Sequence, residues 1–210
     1  MKNVLLINKP SGITSYDVIR ILKKKLHPKK IGHAGTLDPL ASGLLIVLID
    51  GATKQSEKFM NMGKRYRVEM RLGIKTDTGD SDGEITQKSD IPELNREKIK
   101  KILKKFEGKI KQTPPIYSAI KYKGKKLYEY ARAGINVKIK PRFIEIKKIK
   151  LLDFNRETIE LLVDCSKGTY IRTLVEDIAK KLKTVAVTSR LVRERIGNYT
   201  LIKAIKPEDL

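Results

Sequence analysis

The sequence predicts an α+β fold, on three observations. Strand-like and helix-like segments mix along 210 residues without the strict alternation that a parallel α/β sheet needs. Residues 64–72 alternate with period two, so that Tyr66, Val68, Met70 and Leu72 share one face. Ile99, Ile102, Leu103 and Phe106 instead recur at i, i+3, i+4 and i+7, the spacing of one helix face. The length suits a single domain, residues 1–210.

Taken in order, residues 4–7 form a short apolar strand that Asn8-Lys9-Pro10-Ser11-Gly12 breaks. Thr14 or Ser15 caps a helix with Val18, Ile21, Leu22 and Leu26 on one face and lysines 23–25 at its end. A glycine-rich loop leads to an apolar strand at 44–49, and Thr53 caps a short helix through Phe59. Residues 77–83 look faintly like a calcium loop. With Gly83 at the sixth position, however, the first and twelfth are Thr78 and Ser89, which are wrong ligands, so calcium is rejected. Asn95 caps the helix that carries Ile99 to Phe106, and Pro114-Pro115 breaks the stretch 112–119. Residues 143–149 and 159–163 read as strands around a turn at 155–157. Residues 168–172 open a helix bearing Leu174, Ile178 and Leu182, 188–199 is a strand, and 202–210 is a short tail.

The charge narrows the partners. The formal net charge is +22, which points to a polyanion, with nucleic acid first and an acidic membrane surface second. A lysine-rich genome or a heat-adapted host raises lysine content without any such partner. Residues 121–142 interleave Lys and Arg with Tyr and Gly, which suits looped RNA held by stacking beside a basic track. A basic surface helix with its tyrosines turned inward accounts for the same composition. The single cysteine, Cys165, excludes an intrachain disulfide and reads as a small buried apolar residue. The apolar N-terminal run is too short for a signal peptide and no stretch reaches transmembrane length, so a cytoplasmic protein is expected.

Chemistry concentrates in Gly32-His33-Ala34-Gly35-Thr36-Leu37-Asp38-Pro39-Leu40-Ala41-Ser42-Gly43. Pro39 removes a backbone donor and pushes Asp38 toward an extended conformation, which leaves a carboxylate displayed on a loop at the mouth of a buried strand. Asp-Pro is also a common turn pair that needs no function.

This stretch closely resembles the catalytic motif of the TruB family of RNA pseudouridine synthases. Lys64-Arg65-Tyr66, the run from Thr76 to Gly83, Gln112 to Lys121 and Cys165 to Arg172 resemble further motifs of that family, so the resemblance covers nearly the whole chain. It implies a mixed, mostly antiparallel central sheet flanked by helices, with an RNA-clamping insertion at about 121–142. Bacterial members usually add a C-terminal RNA-binding domain of the PUA type, which is not expected here.

The resemblance also implies the reaction, in which uridine 55 in the T-arm loop of tRNA becomes pseudouridine. The base leaves C1′ through N1, turns, and rejoins through C5, with no cofactor and no metal. Asp38 is then the catalytic carboxylate, acting by attack at C1′, addition at C6 or a glycal path. Arg172 supplies its counter-charge and Asp80 is the acidic partner of that arginine. Tyr66 stacks on the target base, and its hydroxyl is a candidate for removing the C5 proton. Tyr170 and Leu191 line the pocket. His33 serves the base flipping that a target inside a folded loop requires. Lys9, Lys54 and Lys121 contact RNA or support the pocket. The partner expected is a tRNA T-arm stem-loop, and the protein is expected to be a monomer. The alternatives are an RNA-guided synthase of the Cbf5/dyskerin type and a tRNA-binding chaperone without chemistry.

Overall fold

The computed structural model describes residues 3–210. The elements are β1 (Val4–Lys9), α1 (Ser15–Leu26), β2 (Ile31–His33), β3 (Ser42–Ile49), α2 (Ser56–Met60), β4 (Lys64–Leu72), β5 (Ile74–Thr76), β6 (Ile85–Lys88), α3 (Arg96–Lys104), β7 (Gly108–Gln112), β8 (Lys121–Tyr122), β9 (Lys125–Lys126), α4 (Leu127–Arg132), β10 (Arg142–Phe154), β11 (Thr158–Cys165), α5 (Ile171–Lys181), β12 (Ala186–Ile196) and β13 (Tyr199–Thr200). Short 3-10 helices occupy Asp50–Gln55, Leu201–Lys203 and Pro207–Asp209. The fold is α+β with a mostly antiparallel sheet. The chain forms two compact units, one comprising the residues up to Val68 with Leu162–Lys167 and Arg190–Leu210, the other Glu69–Leu161 with Gly168–Ser189.

The first unit is organised on β3. Strand order here is β1-β3-β12-β4-β11, with β2 also on β3 and β13 on β12. β1 pairs antiparallel with β3 (Ile7 opposite Leu45), and β12 pairs parallel with it through Val192–Ser42 and Arg193–Gly43. The apolar run exists because both faces of β3 are covered. Leu44, Ile46 and Leu48 pack with Phe59 and Ile196, while Leu45 and Val47 pack with Ile7 and the α1 residues Val18, Ile19 and Leu22.

Thr14 caps α1 in a reciprocal capping box: its Oγ1 accepts from the Asp17 N–H at 3.0 Å, and Asp17 Oδ2 accepts from the Thr14 N–H at 2.8 Å. The buried stripe is Ser15, Val18, Ile19 and Leu22, at i, i+3, i+4 and i+7. Ile21 falls off that stripe and Leu26 lies at the helix end, so both of these expected core residues are about two-fifths exposed, at 38% and 39%. Thr53 lies inside a 3-10 helix with its hydroxyl on the Asp50 carbonyl, and the α-helix begins only at Ser56. The expected last strand is a hairpin, β12 and β13, reversing at Gly197 with φ +53°. The tail is fixed by a parallel bridge from Ile205 to Ile7 and by buried Pro207.

In the second unit the order is β12-β4-β11-β10-β7. β10 runs thirteen residues, well past the expected 143–149, and pairs antiparallel with β7 (Ile144 opposite Ile110). Asn95 caps α3 by accepting from the Lys98 N–H at 2.8 Å, and Ile99 and Leu103 are buried. The rejected calcium loop is the turn of the β5–β6 hairpin, where Asp77 Oδ1 accepts from the Glu84 N–H at 2.9 Å. The segment 121–142 contains the β8–β9 hairpin and α4, with Leu127 buried and Tyr128 and Tyr130 half-buried. Among the described residues no helix is long and apolar enough to cross a membrane.

Candidate active site

Asp38 sits in a loop between β2 and β3 whose backbone is fixed by side chains from outside it. Buried Ser15, from the first turn of α1, holds both polar groups of Leu37: its Oγ accepts from the Leu37 N–H at 2.8 Å and donates to the Leu37 carbonyl at 2.9 Å. Gly12 N–H donates to the Pro39 carbonyl at 2.9 Å and Ser11 Oγ to the Leu40 carbonyl at 2.7 Å. Arg193, on β12 and 1% exposed, donates from Nε to Leu44 O (2.8 Å), from Nη1 to Thr36 O (3.2 Å) and from Nη2 to Gly35 O (3.0 Å). The strands are so close here that a Cβ on Gly43, at φ +103°, would lie 2.5 Å from the Arg193 carbonyl oxygen. Leu37 is buried and Asp38 half-buried, so the carboxylate is presented from a fixed platform.

Two lysines complete the setting. Lys9 is fully buried, with its ammonium on the carbonyls of Pro10 (2.8 Å), Ile13 (2.6 Å) and Pro39 (3.4 Å). It therefore supports the loop from beneath. Burial lowers its pKa to about 8, against the opposing pull of the Asp38 charge. Lys64 is likewise buried, donates to the carbonyls of Met60 and Met62, and is lowered to about 8 by burial with help from the Arg193 charge. Tyr66 faces this cationic setting from β4. Burial pushes its phenol up, while the nearby Arg193 guanidinium acts in the opposite sense. Leu191, two residues before Arg193 on β12, is also buried. His33, at the end of β2, is half-buried and Lys54 is exposed.

The other predicted residues belong to the second unit. Arg172 and Asp80 are brought together, with side chains only 7% and 9% exposed and Nη1 3.7 Å from Oδ2. Arg172 also donates to the carbonyls of Thr78 at 2.6 Å and Tyr117 at 2.8 Å. Gln112 joins the motif at 112–121 to the one at 165–172, because its amide accepts from the Tyr170 N–H at 2.8 Å and donates to the Tyr170 carbonyl at 3.0 Å. Tyr170 is half-buried and Lys121 is exposed. A cavity of about 340 Å³ lies beside Arg172, lined among others by Thr78, Tyr117 and Glu176. Burial raises the Glu176 carboxyl. Among the described residues no three His, Cys, Asp or Glu side chains gather into a metal-binding set.

Sequence reasoning missed Arg193, Ser15 and Gln112. Arg193 left one trace, since it shares strand parity with Leu191 and so lies on a buried face. Ser15 stood out only as a candidate helix cap and Gln112 only as the start of a family motif; their roles stayed hidden because their partners are 22 and 58 residues away.

Known proteins resemble this chain in sequence and fold. Residues 23–171 match the model of the TruB family pseudouridylate synthase, N-terminal domain. A protein of Endomicrobium trichonymphae named tRNA pseudouridine synthase B is 46% identical over 206 residues, covering 98% of this chain and 90% of its own. One of the same name from Mesoplasma florum is 46% identical over 207 residues, covering 98% and 72%. A solved chain in the crystal structure of a Cbf5-Nop10-Gar1 complex superposes with a TM-score of 0.78 at 30% identity, over 99% of this chain and 53% of that one. The chain therefore spans about half the length of that solved relative. Fold and sequence identity agree: the chain belongs to the TruB family of pseudouridylate synthases.

Proposed function

We propose that this protein is a tRNA pseudouridine synthase that isomerises uridine 55 in the T-arm loop, with Asp38 as its catalytic carboxylate. One observation carries the reading. Asp38 stands on a loop whose flanking carbonyls are held by Ser15, Lys9 and Arg193, beside buried Tyr66. A structural turn needs no such frame, whereas a carboxylate that must meet one atom of a flipped nucleotide does. The names of the relatives support tRNA as the substrate.

In the proposed reaction the C1′–N1 bond breaks, the uracil turns, a C1′–C5 bond forms, C5 loses its proton and N1 takes one up from solvent, so that the product is an isomer of the substrate. Asp38 serves the sugar or the base as nucleophile or base. The Tyr66 ring forms a wall for the uracil. Its raised pKa keeps the phenol protonated near neutral pH, which favours stacking over a base role. Arg172, held by Asp80, Thr78 and Tyr117, is a fixed positive charge. Leu191 and Tyr170 shape the pocket, His33 occupies the space that the flipped base vacates, and exposed Lys54 and Lys121 meet phosphates. The segment 121–142 clamps the RNA arm. The protein acts as a cytoplasmic monomer.

The test uses an unmodified tRNA transcript with tritium at uridine C5. Wild-type protein is expected to release one tritium per tRNA, without guide RNA or partner protein, and Asp38→Asn to release none. Tight binding of tRNA with no release by wild type would sink the enzymatic reading in favour of a chaperone.

A further inference from the structure

The geometry points to the exposed face of α1, formed by Tyr16, Arg20 and Lys23, as a track for the RNA that flanks the target nucleotide. We propose it as an extension of the substrate site, and it rests on the RNA-modifying reading above. α1 runs twelve residues, and its buried face is Ser15, Val18, Ile19 and Leu22. Tyr16, Arg20 and Lys23 recur at i, i+4 and i+7 and so form a second stripe, reaching about 10 Å along the helix axis. Tyr16 is 66% exposed and the Arg20 side chain 68% exposed. Apolar burial therefore accounts for neither.

Position argues for the occupant. Ser15 grips the backbone of Leu37, next to Asp38, so Tyr16 stands on the very turn that anchors the catalytic loop. A nucleotide that reaches Asp38 brings its neighbours along the chain, and they must cross adjacent surface. The charge of that surface suits phosphate: Arg20 and Lys23 are joined by exposed Lys24, while the Lys25 ammonium is taken up by the carbonyl oxygens of Glu208 and Leu210. Asp17 is the one acidic group on the helix. It is committed to the capping box and pairs with Arg20 at its rim, where the guanidinium's remaining donors stay accessible. An exposed phenol at the head of a cationic stripe is the arrangement that stacks a base or ribose while cations hold the backbone.

The measurement is tRNA affinity across a salt series, with kcat at saturating tRNA. Tyr16→Ala is expected to bind about fivefold more weakly or worse, and Tyr16→Phe to bind as wild type does. The pair Arg20→Gln with Lys23→Gln should reduce the steepness of log K against log salt by up to about 2, near 0.9 per lost phosphate contact. Lys98→Gln with Lys101→Gln on α3 removes the same charge elsewhere and should leave the slope unchanged. kcat should hold in the α3 pair, because neither lysine belongs to the frame of Asp38 or to the proposed track. Wild-type affinity in Tyr16→Ala, or an equal change of slope in the α3 pair, would overturn the proposal. A wild-type protein that binds tRNA and releases no tritium would overturn the enzymatic reading instead, with the α1 binding test still decisive.

Discussion

Two loop regions of this molecule are built by opposite means. The stretch 32–43 carries Asp38, and residues that lie elsewhere in the sequence seize its carbonyls: Ser15 on Leu37, Lys9 on Pro39, Arg193 on Gly35 and Thr36. The stretch 121–142 is anchored by buried Leu127 and by backbone bonds from Leu127 and Tyr128 to the Ile120 and Ser118 carbonyls, and its other side-chain contacts are among its own half-buried and exposed groups. Tyr122 and Tyr130 meet edge to face with ring centroids 5.8 Å apart, and Lys126 and Arg132 each lie 5.5 Å from the Tyr128 ring. Buried donors to carbonyls are costly to lose, since the orphaned oxygen cannot turn to water. Exposed cation–ring contacts are worth about 0.5–1 kcal/mol and exchange readily with solvent. The first region is fixed by buried donors, while the outer contacts of the second exchange with solvent.

The strongest way to break this contrast is Arg193→Met. It leaves the carbonyls of Gly35, Thr36 and Leu44 without their donor in a buried setting, at about 1–3 kcal/mol for each group left unpaired. A fall in stability of about 3 kcal/mol or more is expected in urea unfolding, with kcat reduced far more than KM. Arg193→Lys keeps the charge but cannot span three carbonyls and should fall between. An Arg193→Met protein with unchanged midpoint and kcat would mean that the loop holds its shape unaided.

The sequence showed the parts whose cause is local. The run at 44–49 is apolar because both faces of β3 are covered, and the alternation at 64–72 put Tyr66 on the inward face. Asp38 stood out through its neighbours Pro39 and the glycines, and the family motif gave it a role. What stayed hidden depends on partners far along the chain. Strand parity puts Arg193 on the face of Leu191, but its role is hidden until the carbonyl of Gly35, 158 residues away, is placed beside it. β7 escaped notice because Gly108-Lys109-Ile110-Lys111-Gln112 offers one apolar residue, which suffices only because Ile144 of β10 lies opposite. Helix phase failed at Ile21 and Leu26 for a related reason: periodicity gives a stripe but not which residues meet a neighbour.

The buried lysine beneath the loop sharpens the comparison through pH. Lys9 has a folded pKa of about 8 against an ordinary 10.5, so between those values the unfolded chain binds more protons than the folded one. Stability should therefore rise with pH across that window, by up to about 1.4 kcal/mol per pH unit from this group. Lys64 adds in the same sense. Above about pH 10 the raised pKa of Tyr66 works against the trend, since unfolded tyrosine ionises first. Unfolding titrations from pH 8 to 9.5 should show a shallower slope for Lys9→Met than for wild type. Equal slopes would mean that the Lys9 ammonium is not confined as its carbonyl contacts require.

The smallest effect on stability is expected in the other region. Tyr128→Ala removes a ring that lies beside Lys126 and Arg132 on a half-buried surface, so the urea midpoint should move by no more than about 1 kcal/mol equivalent. If this segment closes on RNA, the same change should raise KM for tRNA several-fold and leave tritium release at saturation near wild type. That split is the reverse of the one expected for Arg193→Met. A Tyr128→Ala protein as unstable as Arg193→Met would show that residues 121–142 are structural scaffold, and the contrast between a fixed loop and an adaptable one would collapse.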